Sequence, residues 1–295
     1  MFTARTTWVR VLIALAALAL LAGACGGGDD EAEGVDPDIS CDVADLELVT
    51  DGTLTVATGE PVFPPWMGVG DDNFDVPESK TGFEGALVYA LAAEMGFTDD
   101  QVVFVRTGFD EAIAAGPKNW DFNIQQYSIT EDRDQVVDFS EPYYTTRQAL
   151  VLYPDSPFAG ATTVEDLKDA VLGAAIGTTS LDFIEEVIQP NTEPSVYDEN
   201  VDVAAAMNAG QIDGLVLDLP AGYYMTAVEV PGAIIAGQFE SEAAAPDHYG
   251  MLFAEGNTLV SCVNQALAAL KNNGTLQDLE DTWLTQDGAI PLIED

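Results

Sequence analysis

Positive charge is scarce in this chain. Only nine of its 295 residues are Lys or Arg, against fifty-one Asp or Glu, and the formal net charge is −42. Nucleic acid is excluded as a partner, because phosphate contacts need clustered cations. Histidine is represented by His248 alone, with no companions at ligand spacing, so no metal site is expected. Nothing in the pattern calls for a cofactor. The acidity bears on solubility and milieu, saline surroundings that screen repulsion being one reading, and not on fold. It also tilts the long-range field toward cationic solutes.

A membrane-spanning run is missing as well. The apolar stretch Val11 to Ala22 is too short for a stable span. Arg5 and Arg10 precede it and Leu21-Ala22-Gly23-Ala24-Cys25 follows, which is the pattern of an export signal. The Cys after small residues resembles a bacterial lipoprotein cleavage box, with Ala22 where Leu is commonest. That resemblance implies a signal over 1–24, a lipidated Cys25, and a protein anchored outside the bacterial cell membrane. Gly26 to Pro37 reads as a flexible acidic tether within the segment 25–45. Cysteine is rare too, at three residues. With Cys25 lipidated, Cys41 and Cys262 remain as a pair in an oxidising compartment. A disulfide is the economical reading, and two unrelated buried thiols are the alternative.

From Gly52 onward, strand and helix patterns alternate. Gly52 to Thr58 alternates as a strand, and Gly59 to Trp66 is a stiff loop after its carboxyl end, where open α/β sheets seat ligands. Ala86 to Met95 has helical spacing with Gly96 as its stop. Gln101 to Val105 predicts a second strand, with an exit loop ending in Phe109, and Trp120 to Ile124 a third. This order argues a mostly parallel sheet. Gln148 to Tyr153 reads as a strand crossing to a second unit. There Val171 to Ile176 is a strand, and Gly177-Thr178-Thr179-Ser180 turns into a helix over Leu181 to Ile188. Such a turn is a natural seat for a carboxylate or an ordinary capped start. Gln211 to Asp218 is the next strand, with Asp213 structural. His248 to Ala254 crosses back, Asn257 to Lys271 is a helix with one apolar stripe, and Leu276 to Leu284 is a last helix anchored by Trp283.

The chain is organised around Asn119 to Tyr144, NWDFNIQQYSITEDRDQVVDFSEPYY. Thr130 is placed to cap a helix with acidic residues in its first turn. Arg133 follows, one of the few cations in an acidic protein. Its planar fork suits a carboxylate in bidentate fashion, which Lys cannot match. The alternative is pairing with Glu131, Asp132 or Asp134 on a solvated helix face. The run Ser128 to Arg133, with Val137-Asp138-Phe139-Ser140-Glu141-Pro142-Tyr143-Tyr144, resembles the signature of the polar-amino-acid solute-binding proteins of ABC importers. These include the lysine/arginine/ornithine-, histidine- and glutamine-binding proteins. The resemblance extends from about Gly52 to Trp283.

It implies a bilobed, type II periplasmic-binding-protein-like clamshell of two α/β lobes joined by two crossing strands. Lobe 1 would comprise 46–146 plus 249–295, and lobe 2 would comprise 147–248. It also implies a monomer that captures a free polar amino acid and delivers it to a permease and its ATPase. Arg133 with Thr178 and Thr179 would clamp the carboxylate, and Asp218 would meet the ammonium. Ser128, Gln125 and Gln126 would add hydrogen bonds, although the two glutamines depart from the small residues common there. Phe63 and Phe109 would enclose the side chain, or Phe63 and Trp66 would only pack the lobe. Glu60 falls where basic-amino-acid binders place an acid; Glu84 departs mildly from an Asp. Two other classes share the fold. Dehydratases acting on cyclohexadienyl acids or arogenate need a placed general acid, for which Glu60 is the one candidate. A sensor ectodomain needs a further membrane span, and none is read after the last helix.

Overall fold

The computed structural model describes residues 40–241, 245–284 and 290–295. The expected signal, Cys25 and most of the tether lie outside the described residues. Strand β1 (Leu54–Thr58) is buried at every position and pairs in parallel with β2 (Val102–Arg106) and β3 (Phe122–Asn123). Strands β4 (Val137–Phe139) and β12 (Leu252–Ala254) complete a five-stranded sheet in the order β2-β1-β3-β12-β4. A central strand buried along its whole length needs cover on both faces of its sheet. Helix α1 (Phe83–Glu94) buries Leu87, Val88 and Leu91, and packs against α7 (Leu259–Asn272) and α8 (Thr275–Trp283). Leu276 and Leu284 are buried, and Trp283, partly buried, packs against the same core, so the indole shares the anchoring of the last helix with these leucines.

The second sheet has the order β13-β10-β6-β9-β7-β8. Its strands are β6 (Gln148–Leu152), β7 (Leu172–Ala175), β8 (Ser195–Tyr197), β9 (Gly214–Asp218), β10 (Ile234–Glu240) and β13 (Leu292–Glu294). Two expectations change here. The run from Gln148 is not a crossing strand but a central one, buried throughout between β9 and β10. The crossing falls one step earlier, in a two-stranded antiparallel ribbon of β5 (Tyr144–Thr146) and β11 (Asp247–Tyr249). The C-terminal strand β13 also pairs with β10 in the second sheet, although the sequence reading gave all of 249–295 to the first lobe. Burial of Ile293 against that lobe's core accounts for the attachment.

Each sheet carries its own apolar core. Asp213 accepts a hydrogen bond from the Val171 amide at 2.8 Å, the structural role expected of it. A disulfide joins Cys41 to Cys262 of α7, with Cα atoms 5.5 Å apart. The bridge closes a loop of 221 residues, for which chain entropy sets an upper stabilisation of about 5 kcal/mol. Replacing both cysteines with serine should lower Tm by about 10 °C. Thermal scans of the double variant and of reduced wild type should coincide, and an unchanged Tm in both would show the bridge to be energetically idle.

Candidate ligand-binding site

The carboxyl ends of β1, β2, β7 and β9 converge on a cavity of about 610 Å³ between the two sheets. Its walls include Glu60, Phe63, Phe109, Gln125, Gln126, Ser128, Arg133, Thr178, Thr179 and Asp218, so every ligand-contact residue anticipated from the sequence is gathered there.

Arg133 sits in a one-turn helix α3 (Glu131–Asp134; α2 is Phe109–Ile113), whose N-cap Thr130 accepts the Arg133 amide at 3.3 Å. The side chain is buried, and no ion pair among the described residues includes it. Nη1 donates to the Ser128 carbonyl at 2.8 Å and Nη2 to the Gly177 carbonyl at 2.9 Å, so the fork reaches from one lobe to the other. Burial lowers its pKa, and Asp247, Tyr127, Asp182 and Asp218 pull it back up. Phe109 supports the guanidinium from 5.4 Å and itself stacks on Tyr127 at 4.6 Å. Two N–H groups are taken by carbonyls, which leaves the rest of the fork for an anion.

Across the cleft, Thr178 caps helix α4 (Thr179–Phe183), accepting from the Leu181 amide at 3.2 Å and donating to the Ala175 carbonyl at 2.8 Å. Thr179 and Ser128 bring their hydroxyl oxygens to 3.4 Å from opposite lobes. Asp218 ends β9. Burial, seconded by Asp247, raises its pKa to about 7, against lowering by Tyr249, Gln148 and Arg133.

Three residues here escaped the sequence reading as site members. Glu84 is fully buried in the cavity wall, and burial raises its pKa to about 7. It is held there because Gly82, at φ +90°, lets the chain fold tightly under Trp66: an added Cβ would stand 2.5 Å from the Trp66 carbonyl oxygen. Its carboxylate accepts from the Tyr143 hydroxyl and from both the amide and side chain of Gln126. Gln148, buried, and Asp247, half-buried, form a second polar cluster beside Asp218. The signal for Glu84 was its place after Gly82-Phe83; for Gln148 it was one polar residue opening an apolar run.

Glu60 is exposed at the mouth. Phe63 packs on Tyr224 of α6 (Leu219–Tyr224; α5 is Asn200–Asn208) at 5.2 Å, so it spans the cleft from the first lobe to the second. Trp66 is buried among Phe83, Tyr144 and Tyr249. Gln125 accepts from the Tyr127 hydroxyl at 3.1 Å, and Gln126 is tied to Glu84, so both glutamines have protein partners while lining the cavity. The wall is acidic overall: Glu60, Glu84, Asp110, Glu111, Asp198, Glu199 and Asp218 outnumber Arg106 and Arg133. Arg106 is itself paired with Asp75 at 2.9 Å. Asp110 of the first lobe and Glu199 of the second both line the cavity, and the Asp110 charge follows burial in raising the Glu199 pKa.

Two α/β lobes around a central cleft, here with Arg133 and Asp218 both in its wall, make the type II periplasmic binding fold. Residues 54–286 match the model of the bacterial extracellular solute-binding proteins, family 3, and the chain belongs to that family. The L-cystine-binding protein TcyJ of Escherichia coli K12 is 28% identical over 239 residues, covering 80% of this chain and 84% of that one. An ancestral arginine-binding protein bound to arginine superposes with TM-score 0.65 at 28% identity, over 79% of this chain and 99% of its own. An ancestral amino acid-binding protein, a precursor of cyclohexadienyl dehydratase, gives 0.64 at 27%, over 79% and 96%.

Proposed function

We propose that this chain is the substrate-binding component of an ABC importer, held outside the membrane by lipid on Cys25. In this reading it acts as a monomer that captures a free polar amino acid and hands it to a permease. The observation that carries the proposal is Arg133: a buried guanidinium with no carboxylate partner among the described residues, in a cleft whose far wall holds Asp218. Charges that lose water need partners, and the two ends of a zwitterion supply both. Arg133 and the Thr178–Thr179 turn hold the carboxylate, Asp218 holds the ammonium, and Ser128 and the Gln125–Gln126 segment add hydrogen bonds. Arg133 already reaches the Gly177 carbonyl across the cleft, so a ligand in its fork would join the lobes by hinge closure. A thermal-shift screen over the twenty amino acids, followed by calorimetry, tests this, since binding only the native state raises Tm. No shift with any of them would overturn it.

The acidic wall favours a cationic side chain, arginine or lysine, with Glu84 as the distal acid and Glu60 as a rim charge. Exposed charge pairs are worth about 1 kcal/mol or less, whereas a buried acid left without its cation costs several-fold more. Glu84→Gln should therefore weaken arginine binding at least about tenfold, and Glu60→Gln by no more than about threefold. Competition among arginine, lysine, glutamine and glutamate checks it. Tight glutamine binding untouched by Glu84→Gln would end the cationic reading.

A second reading has one observation in its favour. Glu84, titrating near neutrality in the cleft, is the kind of group a dehydratase uses as general acid. Its oxygens, however, accept from three donors, which holds it as an acceptor and not as a proton donor to substrate. Binding without turnover of prephenate or arogenate is the expected result.

A further inference from the structure

We propose that Gln148 is the positioning residue of the ammonium site: its single side-chain amide pins the carboxylates of Asp218 and Asp247 together and holds Asp218 in its ionised, cation-binding form. The inference rests on the assignment of Asp218 to the ligand ammonium. Gln148 opens β6, is buried, and stands behind the residues that line the cleft. Nε2 donates to Asp218 Oδ1 at 2.7 Å and to Asp247 Oδ2 at 2.8 Å. Oε1 accepts from the Ser180 hydroxyl at 2.7 Å, which fixes the orientation of the amide. A primary amide has two N–H groups, and here its two short bonds go to carboxylates, with the Thr179 hydroxyl a longer third acceptor at 3.4 Å.

Simple packing does not ask for this arrangement. Two carboxylates brought to one partly buried point repel, and the loss of water around them makes the repulsion stronger. An amide between them relieves part of that cost without adding a formal charge, so the pair keeps its pull on an incoming cation. Asp218 ends a strand of the second sheet, while Asp247 opens a strand of the crossing ribbon. Gln148 therefore also ties the ammonium seat to the segment about which the lobes would turn.

The groups facing Asp218 act on it in opposite senses. Asp247 makes ionisation harder; Tyr249, Gln148 and Arg133 make it easier. Tyr144 lies within the field of Asp218 as well. Two substitutions should consequently move Asp218 in opposite directions. Gln148→Leu removes the donor and should raise the Asp218 midpoint. Asp247→Asn removes the repelling charge, keeps an acceptor for Gln148, and should lower it.

Carboxyl-carbon NMR titration of the unliganded protein reads the midpoint without any ligand, and calorimetry with L-arginine from pH 5 to 9 reads the consequence. Gln148→Leu is expected to shift the midpoint up by about one pH unit and to weaken binding about fivefold at pH 7, converging on wild type by pH 9. Asp247→Asn is expected to displace both curves toward acid, and it serves alone if Gln148→Leu does not fold. A merely structural Gln148 would weaken binding equally at every pH with the midpoint unmoved. That pattern, or unmoved midpoints in both variants, overturns the proposal. If the midpoints move as stated while Asp218→Asn binds L-arginine like wild type, the positioning geometry stands and the ammonium assignment falls.

Discussion

Arg133→Ala is expected to lower ligand affinity by about two to three orders of magnitude, corresponding to roughly 3–5 kcal/mol for stripping one partner from a buried charge pair. The fold should survive, because the hydrogen bonds of the guanidinium among the described residues go to two carbonyls, Ser128 and Gly177, in the wall of the cleft. Water can satisfy those carbonyls once the side chain is gone. Arg133→Lys should fail nearly as badly. One ammonium cannot hold the Ser128 carbonyl, the Gly177 carbonyl and a bidentate carboxylate at once. Calorimetry with the amino acid identified by thermal shift, alongside circular dichroism melts, decides the matter. Binding within threefold of wild type in either variant would leave Arg133 as an interlobe strut and end the clamp assignment.

Why could so much of this site be anticipated from sequence? Arg133 is conspicuous because the chain has so few cations, and its one-turn helix is announced by Thr130 with acids following it. The Gly177-Thr178-Thr179-Ser180 turn and the end of β9 sit where parallel strands stop, and the topology of an α/β sheet collects such ends on one side. Cap and strand-end signals, together with the family resemblance, therefore singled out side chains that meet only in the tertiary structure. The crossing point was misplaced because Gln148 to Leu152 is an apolar run either way. Periodicity cannot tell a linking strand from a central one when both are buried. β13 lay beyond any local signal: a three-residue strand is recognised by its partner, here β10, and not by its own pattern.

Glu84 and Gln148 were hidden for a different reason. Their significance lies in what surrounds them, a Tyr143 hydroxyl and the Gln126 amide in one case and two distant carboxylates in the other. Those partners are 42 to 99 residues away in sequence. A buried acid looks in sequence like any other acid, and in a chain with fifty-one of them it carries no mark. The acidity that made Arg133 visible concealed Glu84 and Asp247.

The second large effect concerns pH. Asp218 has its pKa raised to about 7, chiefly by burial, and an ammonium binds its ionised form. Affinity should therefore be level above that value and fall about tenfold per unit below it, reaching about a hundredfold loss at pH 5 relative to pH 8. For unliganded stability the sign is reversed. A carboxylate whose folded pKa lies above its unfolded one binds more protons when folded. Its contribution to stability is thus fully present below the unfolded pKa and is lost as pH rises through the folded value, near 7. Asp218→Asn keeps an acceptor for Gln148 but removes the buried charge. It should raise the Tm of the unliganded protein at pH 8 while abolishing both tight binding and most of its pH dependence. Glu84 has its pKa raised to about 7 as well, so any slope that persists in Asp218→Asn is assigned by the further change Glu84→Gln. Calorimetry at pH 5, 6, 7 and 8 with parallel thermal scans measures both signs together. A flat wild-type affinity over that range, or a lowered Tm in Asp218→Asn at pH 8, would remove Asp218 from the site.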